Sequence, residues 1–193
     1  MNAPSIKRNA LLTLSLLLIP TLAHAHVGIG ETSGFLHGMG HPLTGIDHIC
    51  AMVAVGLWAS QMGGRSLWLV PLTFLLVMAT GGLLGMSGIT LPFVEQGIIV
   101  SVLTLGVFIA AAIRLPLVAS VALVGLFALC HGHAHGSEMP SSVSGLQFAM
   151  GFVLATTIFH TLGIGLGVAM QKQGRPMVVR FAGLAIIYCG ACL

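Results

Sequence analysis

The sequence predicts an all-α, polytopic membrane protein with six transmembrane helices following a cleaved N-terminal signal peptide. Three observations carry that expectation. Charge is nearly absent, at 6% of 193 residues, while 56% are hydrophobic; a soluble domain has about 25% charged residues. Apolar runs close to the roughly 20 residues that span hydrocarbon recur along the chain. Of the seven Lys and Arg, two precede the first apolar run, four fall in alternate breaks between later runs and Arg180 lies just beyond the last of these breaks, the pattern of a positive-inside topology.

Residues 1–25 read as the signal peptide. Lys7 and Arg8 form a positive n-region, Leu11 to Leu22 an apolar h-region too short to span, and Ala23-His24-Ala25 a small-residue cleavage site. An uncleaved anchor is the alternative. Cleavage leaves His26 as the mature N-terminus, on the far side of the membrane. Residues 26–193 then form one domain of six helices, expected at 43–61, 66–88, 94–112, 115–134, 143–170 and 177–193. Pro42 suits the first position of the first helix, since its missing N–H needs no partner there, and His41 stands at the cap. The breaks are ordinary punctuators: Gly63-Gly64-Arg65, Gly88 to Pro92, Arg114 with Pro116, Ser137 to Pro140, and Lys172 to Pro176. With the N-terminus outside, Arg65, Arg114, Lys172, Arg175 and Arg180 all fall inside, and the C-terminus is periplasmic.

The net charge of +3 is spread singly along the chain. No basic patch tracks a phosphate backbone, which argues against nucleic acid as a partner. The partner of such a surface is the lipid bilayer. Cys50, Cys130 and the Cys189/Cys192 pair read as small membrane-helix residues rather than a disulfide framework, with a soft-ligand role open for Cys50 and Cys130.

Two short stretches hold nearly all the polar chemistry. One runs from His37 through His41 and Pro42 to Asp47 and His48. The other is His131, His133, His135 and Glu138. They contain six of nine histidines and two of four acidic residues. Such groups are costly in an apolar chain unless something binds them. A divalent ion of the nickel, cobalt or zinc type accepts mixed nitrogen and oxygen ligands. Asp47 is the sharpest single residue, since an aspartate inside an apolar helix costs about 2.5–3.5 kcal/mol on insertion scales. It either ligates, orients a ligating imidazole, or makes a structural bond to a neighbour. His131, His135 and Glu138 share a helix face by their spacing. His133 points away if the helix continues, and joins them if Gly132 or Gly136 breaks it.

The six-helix topology places both stretches at the outer face. The metal candidates are therefore His41, Asp47, His48, His131, His135 and Glu138. Behind them stand His26, His37, Glu95, His133 and His160. Glu95 begins the third helix at the same face; His160 lies deep in the fifth, where an interhelical hydrogen bond explains it as well as an onward metal site does. Phe74 and Trp58 read as packing residues. No P-loop is present, so any ATP use needs a partner.

The pattern His41-Pro42-x-x-Gly45-x-Asp47-His48-x-x-Ala51-Met52-x-x-x-Gly56-x-Trp58-Ala59 closely resembles the signature of the HupE/UreJ family, and the stretch from His131 to Glu138 resembles its second motif. The similarity runs from signal peptide to last helix. It implies a nickel or cobalt permease of the bacterial inner membrane, associated with a hydrogenase or urease maturation system. It also implies His41, Asp47, His48, His135 and Glu138 as the functional residues. The expected cargo is Ni²⁺ or Co²⁺, with Zn²⁺ a further candidate, and no permanently bound cofactor. The chain is not expected to be an enzyme. Two other readings fit the residues: an intramembrane zinc-dependent hydrolase, and a metal-binding accessory protein that does not transport.

Overall fold

The computed structural model of the chain describes residues 34–140 and 142–193. The signal peptide expected over 1–25, and His26, lie outside the described residues. Those that are described form helices and connecting turns, with no strand among them.

A short helix, α1 (Gly34–Gly40), runs into a single 3-10 turn over His41–Leu43. Then follow α2 (Ile46–Met62), α3 (Ser66–Met86), α4 (Val94–Ala111), α5 (Leu117–Ser137), α6 (Gly145–Lys172) and α7 (Pro176–Ala191). Four of these, α3 to α6, are long and apolar enough to cross a membrane. The segment from Gly34 to Met62 passes the same test only as a pair bent by 84°. With 16 residues, α7 is about 24 Å long, shorter than the roughly 30 Å hydrocarbon core.

The six expected segments are all helical, but two differ from expectation at their ends. The first long helix does not begin beside Pro42. That proline opens the 3-10 turn, which Thr44 closes by donating from both its hydroxyl (2.7 Å) and its N–H (3.1 Å) to the His41 carbonyl. Gly45 then adopts an extended conformation, φ −113° and ψ 119°, and caps α2. Asp47 and His48 consequently lie in the first turn of α2 rather than further inside it, where a helix starting at Pro42 would put them. The second difference is α5, which continues unbroken through Ser137. Gly132 and Gly136 do not break it.

Their reason for being there is packing. A side chain at Gly132 would strike the Met78 carbonyl, and one at Gly136 the Gly82 carbonyl. Across the seam, Gly81 faces the Leu129 carbonyl and Gly85 the His133 carbonyl. Two glycine pairs four residues apart thus let α3 and α5 meet backbone to backbone, as small residues do between membrane helices. Successive residues of a helix are about 100° apart, so His131 and His135 project from the face beside that ridge.

The opposite ends of the helices are tied by side-chain bonds to backbone carbonyls at and just beyond the end of α4. Trp58 Nε1 donates to Ile113 (2.9 Å), Gln61 Nε2 to Ile109 (3.0 Å), and Arg180 Nε to Ala110 (2.7 Å). This end gathers the turns bearing Arg65, Arg114, Lys172 and Arg175. Facing outward around the bundle are large apolar side chains, among them Leu76, Leu83, Val118, Leu146 and Phe181, each at least 60% exposed. Water penalises such a belt; hydrocarbon does not.

Candidate metal centre

The first histidine stretch is delivered by the bend. The 3-10 turn carries His41 across the end of the bundle, while α2 starts anew with Asp47 and His48. The second stretch arrives on the last turns of α5. Because that helix stays regular, His131 and His135 come one turn apart on one face, and Glu138 follows at its C-cap.

Two groups result. In the outer one, His41, His135 and Glu138 each offer a ligand atom, all within 4.8 Å of one another. His41 Nε2 lies 3.3 Å from Glu138 Oε2. Glu138 is the most exposed member, at 59%, so this group can be reached from water. Two imidazoles and a carboxylate form a mixed N/O donor set suited to a borderline divalent cation.

One turn deeper, His48 meets His131 and His135, with ring centroids 5.2 Å and 4.0 Å apart. Between these three lies a cavity of about 10 Å³ walled by Phe74 and Phe152, roughly the space of one water. His135 borders both groups, standing 5.0 Å from the His41 ring. Asp47 contributes differently: its Oδ1 is 2.9 Å from His48 Nδ1. An ionised carboxylate only accepts, so His48 carries its proton on Nδ1 and leaves Nε2 as the bare lone pair. That Nε2 is buried without a hydrogen-bond partner, as is His135 Nδ1. Buried polar atoms are satisfied in the great majority of cases, so these two call for a partner, which a water or a bound ion in the cavity supplies.

The remaining candidates separate. His37 sits on α1 at the outer edge, 6.3 Å from His41 ring to ring. His133 is turned away from the group and donates from Nε2 to the Ile89 carbonyl at 2.6 Å, pinning the α3–α4 connection. Glu95 is exposed in the first turn of α4 and joins no cluster of ligand atoms among the described residues. His160 is 2% exposed with both ring nitrogens unpartnered. The ring of Phe74 stands between it and the deeper group, 5.1 Å from His160 and 5.8 Å from His131. All four cysteines are free, and none belongs to the outer group.

Sequence reasoning treated Phe74 as packing; here it is the wall between two histidine positions. It passed over Ser101 altogether. That serine is fully buried on α4 and lies 2.8 Å from His131 Nε2. A lone serine in an apolar helix gives no signal by composition or spacing.

The family described as HupE / UreJ protein matches residues 14–193. Protein HupE of Rhizobium leguminosarum bv. viciae is 46% identical over 181 residues, covering 94% of each chain. No solved structure matches.

Proposed function

The chain belongs to the HupE/UreJ family, and from that premise we propose that it is a permease of the bacterial inner membrane that takes up a divalent transition metal, nickel first and cobalt second. In this reading the chain crosses the membrane six times, the bent segment Gly34–Met62 making the first crossing and α7 the last. The Lys- and Arg-bearing turns lie in the cytoplasm and the histidine end in the periplasm, as the positive-inside rule requires.

The observation that carries the proposal is the outer group of His41, His135 and Glu138, open to water on one side and backed by unpartnered buried imidazole nitrogens on the other. An ion captured there has nitrogen donors ahead of it, toward the middle of the bundle. His160, one aromatic ring further in, is the next donor along that line. A closed structural site would have no use for a succession of donors at increasing depth. The imported ion would serve a hydrogenase or urease maturation system.

The test is metal flux into proteoliposomes that contain this protein alone, with nickel, cobalt and zinc compared. Inward flux of nickel or cobalt above that of empty vesicles is expected. A metal that binds, resists exchange and never crosses would instead indicate a resident cofactor or an accessory role. His160→Ala is expected to slow flux while leaving equilibrium binding at the outer group nearly intact; unchanged flux would return His160 to packing.

A further inference from the structure

We infer that the small cavity one turn below the outer group is a second metal site, built on three imidazole nitrogens, and that Ser101 is the residue that aims His131 into it. This inference rests on the uptake reading but adds a site, its donor atoms and a positioning residue.

The donors follow from hydrogen bonding. Ser101 Oγ is 2.7 Å from the Ile98 carbonyl and 2.8 Å from His131 Nε2. A hydroxyl has one proton, and a carbonyl can only accept. If that proton pointed to the imidazole, two oxygen lone pairs would face each other at 2.7 Å. The hydroxyl therefore donates to Ile98 and accepts from His131 Nε2–H. This leaves the His131 lone pair on Nδ1. Asp47 fixes the opposite choice in His48, protonated on Nδ1 with Nε2 bare. His135 keeps Nδ1 buried and without a partner. Three neutral imidazoles, two with their tautomers set by neighbours, thus line one cavity of about 10 Å³. Among the described residues no carboxylate lines it; the other donors at its wall are the thioethers of Met52 and Met78.

That chemistry selects the ion. Hard cations such as Mg²⁺ and Ca²⁺ want oxygen, whereas Ni²⁺, Co²⁺ and Zn²⁺ are well served by imidazole. It also dictates how the two sites work together. A neutral imidazole has one lone-pair nitrogen, so His135 can serve only one site at a time. The ion is handed inward when His135 changes allegiance, and each chain holds one ion, not two. Moving from an N/O set to an all-nitrogen set sheds the carboxylate before the ion enters the bundle.

The experiment uses the full chain in lipid nanodiscs loaded with Co²⁺ or Ni²⁺. Titration should give one ion per wild-type chain. In Glu138→Gln, where the outer carboxylate is gone, X-ray absorption should show the bound ion surrounded by three imidazoles. Ser101→Ala should weaken its affinity about tenfold, the lower end of the effect of losing an orienting partner, and Ser101→Thr should restore it. In metal-free protein, ¹⁵N shifts should find the His131 proton on Nε2 in wild type and shared between the two nitrogens in Ser101→Ala. Two ions per chain, fewer than three imidazoles in Glu138→Gln, or a His131 tautomer indifferent to Ser101 would each overturn the inference. The uptake reading fails separately: a three-imidazole site in a protein that moves no metal across vesicles would keep the site and discard the transport.

Discussion

Three of the histidines at the site are each placed by a neighbour outside the proposed ion's shell. Asp47 holds His48, Ser101 holds His131, and the Ile89 carbonyl holds His133 out of the way. The aspartate that looks most like a ligand in the sequence is bonded to an imidazole instead. Asp47→Asn keeps the size but replaces a pure acceptor by an amide that can also donate, so the His48 tautomer is no longer forced. Metal affinity should fall 10- to 100-fold, the range for losing such a partner, with the protein still in the membrane; isothermal titration beside immunoblotting of membranes checks both. His48→Ala should abolish uptake outright. His133→Ala should be milder than His135→Ala, since only His135 borders both groups; equal losses in the two variants would contradict the assignment. The sequence made the histidines and carboxylates legible because their cost in an apolar chain is visible residue by residue. Ser101 was not legible, because a buried serine costs little and its meaning lies wholly in what stands 2.8 Å away.

The elements follow apolar periodicity closely in their interiors and depart from it where glycine has a second meaning. A glycine-rich run reads as a helix end, so the fourth segment was expected to stop at residue 134; α5 runs to Ser137 because Gly132 and Gly136 are contact surface for α3. Conversely, Pro42 reads as a helix start, whereas the extended Gly45 begins α2 and makes the bend that brings His41 over the site. Single-helix rules do not see a partner helix. Gly132→Ala places a methyl group against the Met78 carbonyl and should destabilise the α3–α5 seam by about 1–3 kcal/mol, as overpacking does. Gly125→Ala lies on the same helix, where an added methyl meets only Thr73 and Val77 methyl groups at 3.6 and 3.8 Å. It should be near neutral. Thermal melting of the two variants in detergent distinguishes them, and a Gly132→Ala protein as stable as wild type would remove the close-packed seam from the account.

At the scale of the whole molecule, the chain is polarised. Among the described residues, the carboxylates and every histidine but His160 gather at one end, Lys and Arg at the other, and a belt of exposed apolar side chains lies between. A reporter fused after Leu193 should therefore report the periplasm, and one inserted near Gln173 the cytoplasm; the reverse at either position would break the six-crossing reading. Acid should inhibit. Imidazole ligates only when neutral, so protons compete with metal as pH falls. Affinity should rise with pH up to the point where the ligands are free, and level off beyond it. The decisive property of the protein is whether the ion crosses. Radioactive nickel uptake into proteoliposomes containing only wild-type protein or only His48→Ala tests this directly. Saturable inward flux in wild type and none above empty vesicles in His48→Ala is the expected result. Equal flux in both, or none in a wild-type protein that binds nickel, would contradict it.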